Sequence, residues 1–158
     1  MKQLICLAAA AIFLTSCIDI DYSITGVEFH ANKIFDYYSE ETEFLNSDLV
    51  FGADFILDEG PVQAFVDETT LLNPVIDDKI ILTSDHDMIL TNDTIRSGYN
   101  LIGYFEFKKL HESFYLLTYN FRSTVTFRNQ TDYYKFYFTA HLSDNTEVSD
   151  SCLVKIYF

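Results

Sequence analysis

Tryptophan is absent from this chain of 158 residues, proline occurs twice and glycine five times. The glycines, at 26, 52, 60, 98 and 103, form neither a phosphate-cradling loop nor a Gly-x-Ser-x-Gly nucleophile elbow. Basic residues are scarce too, with ten Lys and Arg against 24 Asp and Glu, for a formal net charge of −14. That balance argues against nucleic acid as a partner, because affinity for it rests on cations that neutralise phosphates. It argues equally against a polybasic attachment to anionic lipid. Of the three cysteines, Cys6 and Cys17 lie near the N-terminus and Cys152 stands alone. A disulfide framework and a Cys-x-x-Cys zinc site are therefore excluded. The metalloprotease signature His-Glu-x-x-His is missing as well, since His111-Glu112 is followed by Ser113, Phe114 and Tyr115.

What the chain does have begins at its N-terminus. Met1-Lys2-Gln3 supplies a positive start, Leu4 to Phe13 an apolar run, and Thr15-Ser16 the small residues a signal peptidase needs before Cys17. The run is too short to span about 30 Å of hydrocarbon. An ordinary secretory signal would leave Cys17 free beside the new terminus. Leu14-Thr15-Ser16-Cys17 resembles the lipobox of bacterial lipoproteins. The resemblance implies that residues 1–16 are a signal peptide and that Cys17 carries diacylglycerol and an acylated amine. Residues 17–23 would then form the lipidated start and tether, and residues 24–158 a single domain. Several acyl chains on one residue exceed the two signals that stable anchoring needs. By the same resemblance, Ile18 in place of an aspartate after the cysteine implies transfer to the outer membrane. Asp19 and Asp21 loosely match an export signal to the cell surface, so the periplasmic and surface faces both stay open.

From Val27 onward the dominant period is two. Val27, Phe29 and Ala31 alternate with Glu28, His30 and Asn32, and Leu49 to Leu57 repeats the theme. Lys79–Ser84, Leu101–Phe107 and the long run from Phe114 to Arg128 follow as candidate strands. Tyr134, Phe136, Phe138, Ala140 and Leu142 form one apolar phase. After Ser143-Asp144-Asn145-Thr146, so do Cys152, Val154, Ile156 and Phe158, which predicts a closing antiparallel hairpin. No helical stripe persists over three turns. About seven short strands predict an all-β, antiparallel sandwich of immunoglobulin-like size, with a small β-barrel as the alternative. An apolar content of 49 % provides its core.

The order of these features resembles small lipoproteins of Bacteroidetes in families of unknown function. It runs from the lipobox through a β-rich domain, Ile80-Ile81-Leu82-Thr83-Ser84-Asp85 and Ser97-Gly98-Tyr99-Asn100-Leu101-Ile102 to the final hairpin. The resemblance implies the envelope compartment and a sandwich, and no activity.

Candidate sites are few. Asp77-Asp78 and Asp85-His86-Asp87 flank one predicted strand and Asp93 lies just beyond. Folded back on one another, these hard oxygen ligands would suit calcium; acidic loops that hold no metal are the competing reading. Tyr37, Tyr38, Tyr99, Tyr133 and Tyr134 stand in or beside loop-like segments, where exposed tyrosines stack on sugars or anchor a protein partner. Core or cross-strand packing is the alternative for each. Asp93-Thr94-Ile95 is similar to an acceptor site for O-linked glycan, with Thr94 modified. Cys152 reads as a buried core residue, and the four histidines are too widely spaced to suggest a ligand set. The expectation is a non-catalytic module of the outer membrane, held there by lipid, without a cofactor, that binds a protein or a glycan. A structural subunit lending a strand edge to an assembly is the alternative. A hydrolase using acidic residues is the third class, and it would require two converging carboxylates in a concave pocket.

Overall fold

Strict alternation demands sheets with one dry face, and the computed structural model forms them. It describes residues 20–33, 42–45, 49–58, 69–89, 94–111, 114–119 and 132–157. The strands are β1 (Ile20–Lys33), β2 (Glu43–Leu45), β3 (Leu49–Asp58), β4 (Thr69–Leu71), β5 (Val75–Ser84), β6 (Met88–Ile89), β7 (Thr94–Ile95), β8 (Phe105–His111), β9 (Phe114–Tyr119), β10 (Asp132–Leu142) and β11 (Glu147–Tyr157). One sheet has the order β4-β1-β3-β9-β8, the other β2-β11-β10-β5, and β6 and β7 pair as a small ribbon. Taken in chain order as A to G, the principal strands β1, β3, β5, β8, β9, β10 and β11 fall into sheets A-B-E-D and G-F-C. That is the strand order of a constant-type immunoglobulin sandwich. Neither sheet closes on itself, so the barrel alternative is not the one adopted.

Phenylalanine fills the space that tryptophan and a disulfide occupy in antibody domains. Phe29 stacks on Phe51 and on Phe138, each at 5.2 Å between centroids, and Phe51 meets Phe136 at 4.8 Å. All four belong to one core that joins both sheets, with Leu49, Leu82, Leu142 and Ile156 fully buried among them. Pairs of this kind add about 0.5–1.5 kcal/mol beyond area burial.

The closing hairpin follows the expected phase. Tyr134, Phe136, Phe138 and Ala140 point inward opposite Val154, Cys152, Asp150 and Val148. Its turn is built from side chains that suit it. Asn145 takes φ 66°, a left-handed conformation asparagine tolerates, and the Asp144 carboxylate accepts the N–H and hydroxyl of Thr146.

Three boundaries differ from expectation. β1 starts at Ile20, where Ile20–Tyr22 run parallel to Thr69–Leu71, so residues 20–23 are sheet and not tether. Likewise β5 starts at Val75 and takes in Asp77 and Asp78. Leu101 ends a loop and Ile102–Tyr104 form a 3-10 turn before β8. That loop shields the outer edge of β5. Leu101 N–H donates to the Leu82 carbonyl, Gly98 N–H to Ser84, and the Asn100 side-chain oxygen accepts from Leu82 N–H.

Candidate binding face

With the even positions of β10 and β11 committed to the core, the odd positions must stand outside. On β10 they are Tyr133, Lys135, Tyr137, Thr139 and His141. Opposite them on β11 are Lys155, Leu153, Ser151, Ser149 and Glu147, while Thr83 and Ile81 of β5 flank Tyr137 and Thr139. Tyr133 is 50 % exposed, Tyr137 43 % and Leu153 56 %. Of the exposed large apolar or aromatic side chains among the described residues, Leu45, Ile81, Tyr133, Tyr137 and Leu153 share this one face. The others, Ile56, Leu72, Tyr99 and Leu110, are scattered over the rest of the molecule.

Charge on this face is arranged unlike that of the chain as a whole. Lys155 Nζ lies 4.9 Å from the centroid of the Tyr157 ring and 5.5 Å from that of Tyr133, and it pairs with Glu43 at 3.2 Å. The Tyr157 hydroxyl donates to the same carboxylate at 2.6 Å. Tyr157 first and Lys155 second hold Glu43 below the usual carboxylate range, and Tyr157 and then Glu43 raise the Lys155 ammonium above its own. They also fasten β2 to β11, with help from Lys155 N–H on the Thr42 carbonyl. Lys135 Nζ sits 5.2 Å from the Tyr137 centroid, and among the described residues it has no ion pair. At the far end His141 Nδ1 meets Glu147 at 3.1 Å. Between the Glu43 and Glu147 rims, β10 and β11 present tyrosines, hydroxyls, Leu153 and two ammonium groups, but no acid.

The other expected sites are distributed as follows. Tyr134 is core, 2 % exposed, which corrects its reading as a binding residue: it lies on the inward phase of β10. Tyr99 is exposed on the 97–100 loop. Tyr37, Tyr38 and Asp93 lie outside the described residues, as does Cys17, the expected lipidation site. Thr94 is half-buried in the β6–β7 ribbon opposite Ile89, beside the buried Ile95. Among the described residues, the acidic groups expected to converge on calcium do not meet. Asp77 and Asp78 are within β5 and Asp85 and Asp87 follow its far end, so Asp77 and Asp85 are about 26 Å apart along an extended chain. Asp85 accepts from His86 Nδ1 and from Lys135 N–H, both at 2.8 Å, and Asp87 from Ser97 N–H at 2.8 Å and Arg96 at 3.0 Å. Among the described residues, no group of three or more His, Cys, Asp or Glu is placed to hold a metal ion.

Two further clusters bear on chemistry. On the outer face of the five-stranded sheet, Glu28 stands directly across from Asp54, and His30 Nδ1 is 3.8 Å from the Asp54 carboxylate. Partial burial, with Glu28 adding to it and His30 opposing, raises the Asp54 carboxyl. Both carboxylates are exposed on an open sheet. The Cys152 thiol is pushed up to about 12 by burial and by Asp150, which leaves it protonated and unreactive at neutral pH.

Sequence reasoning found Tyr133 and missed Lys135, Tyr137, Leu153 and Tyr157. Their signal was the outward phase of the hairpin, where Tyr-x-Lys-x-Tyr replaces the acids that dominate elsewhere. No family model matches this chain, and no curated protein and no solved structure matches it either.

Proposed function

We propose that this protein is a lipid-tethered binding module of the outer membrane, non-catalytic, whose recognition surface is the outer face of the four-stranded sheet. The observation that carries the reading is the concentration of Leu45, Ile81, Tyr133, Tyr137 and Leu153 on that face. Exposed apolar and aromatic side chains gathered on one face are a mark of interaction sites on soluble domains. Attachment through Cys17 suits the geometry: two residues, Ile18 and Asp19, separate the cysteine from β1, a reach of about 10 Å. The domain would then ride close to the lipid surface, its position set by the anchor and its specificity by the sheet.

A strand-lending role has less to support it. The outer edge of β11 is occupied over Lys155–Tyr157 by β2, and Asp150 bridges from β11 to β1. Metabolic labelling with palmitate, together with protease treatment of intact and lysed cells, tests the anchoring. Label on the native chain that is lost in Cys17→Ser, with release of that variant from the membrane fraction, is the expected result. An unlabelled native chain found in the soluble fraction would overturn it.

A further inference from the structure

We propose that the Tyr133-Lys135-Tyr137 row of β10 binds an acidic oligosaccharide, a uronic-acid chain whose carboxylate meets Lys135. This rests on the reading of the same face as the recognition surface and names its ligand. Three observations support it. First, Lys135 is a cation without an ion pair among the described residues, in a chain of net charge −14: Glu43 and Glu147 are paired at the rims of the face, and the neighbouring Asp85 carboxylate is engaged by His86 and by the Lys135 N–H. An anion meets here an ammonium that has no ion pair among the described residues. Second, Tyr137 is flanked in register by Ser151 and Thr83. This hydroxyl-rich setting pairs with a polyhydroxylated ligand, whereas the cores of protein interfaces are depleted in serine and lysine. Third, the row is straight and open. Tyr133 and Tyr137 lie four residues apart on one strand, about 13 Å, two half-exposed rings each with an ammonium over it, so that a sugar meeting a ring also meets a cation. That length suits an oligomer and exceeds a single sugar.

The test is affinity electrophoresis of the full-length chain in non-ionic detergent with EDTA, so that no calcium bridges the polymer. Gels carry polygalacturonate, its fully methyl-esterified form or poly-L-glutamate. Retardation by polygalacturonate alone is expected, weakened about tenfold in Lys135→Gln and in Tyr137→Ala and unchanged in Lys108→Gln on the opposite sheet. All three side chains are at or near the surface, and an unchanged melting temperature confirms that each variant is folded. Equal retardation by the methyl ester would overturn the role of the carboxylate. Equal retardation by poly-L-glutamate would replace the sugar with an acidic protein while leaving the face in use. No retardation by any probe would overturn the saccharide proposal. The binding face itself is judged separately, by cross-linking at Tyr137 in cells.

Discussion

The Asp150 carboxylate on β11 accepts the backbone N–H of Phe29 on β1 at 2.8 Å, joining the edges of the two sheets. Asp150 stands opposite Phe138 in register but is exposed, at the margin of the core. A charge on this edge also discourages a foreign strand from adding to it. Asp150→Ala removes the acceptor and is expected to cost about 1–2 kcal/mol. Asp150→Asn keeps an acceptor and should recover more than half of that. Urea midpoints at constant m-value measure both; equal loss in the two variants would contradict the latch.

Asn73 performs the same task for Ile24. Its side chain imitates a neighbouring strand, accepting Ile24 N–H at 2.7 Å and donating to the Ile24 carbonyl at 3.1 Å, with a further bond to Asp144 at 3.2 Å. Asn73 is buried, so Asn73→Ala leaves two backbone groups unpaired and should cost about 2–3 kcal/mol. Asn73→Asp should cost more, because it places a carboxylate against a carbonyl and against Asp144. Thermal unfolding ranks the two, and an Asp variant as stable as the native chain would refute the pairing.

Gly52 is required by its cross-strand neighbour. A Cβ there would collide with His30 Nε2, so Gly52→Ala must push the imidazole out of its rotamer, at about 0.5–1.5 kcal/mol. In a His30→Ala background the penalty should vanish. A double-mutant cycle detects this as positive coupling, and strict additivity would exclude the contact.

Acid should weaken the fold through specific carboxylates. The Thr146 hydroxyl and then its N–H hold Asp144 below the usual range, and Ser97 N–H, against slight burial and with Arg96, does the same for Asp87. A folded pKa below the unfolded one means stability that is complete above the ordinary carboxylate value of about 4. That stability is lost as pH falls through the lowered value. Asp144→Asn should therefore be less stable than the native chain at pH 6, with the difference closing as pH falls well below about 4. A difference that widens on acidification would reverse the sign of the argument.

Much of the fold was legible because period two in a half-buried sheet is written residue by residue. Phe136 and Phe138 had to face inward once Lys135 and Tyr137 faced out. The turn at Asp144-Asn145 was legible for the same local reason, in side chains that bend their own backbone. Less legible was what register decides between distant strands. Tyr134 was grouped with its neighbour Tyr133 as a residue beside a loop, yet both lie in β10, and a single step along that strand moves from solvent to core. Asp77 looked like a loop ligand because the alternation in β5 weakens there, yet pairing with β10 extends the strand through it. The face itself depended on bringing Glu43, Lys135 and Lys155 together from three strands, which no local pattern encodes.

The most direct measurement is site-specific photo-cross-linking in cells, with a diazirine side chain placed at Tyr137 and, separately, at Glu28 on the outer face of the other sheet. A diazirine inserts into sugar or protein alike, so the outcome does not depend on the ligand's class. Adducts from position 137 and none from position 28 are the predicted result. Adducts from neither, or from both equally, would contradict the assignment of the four-stranded sheet as the binding face.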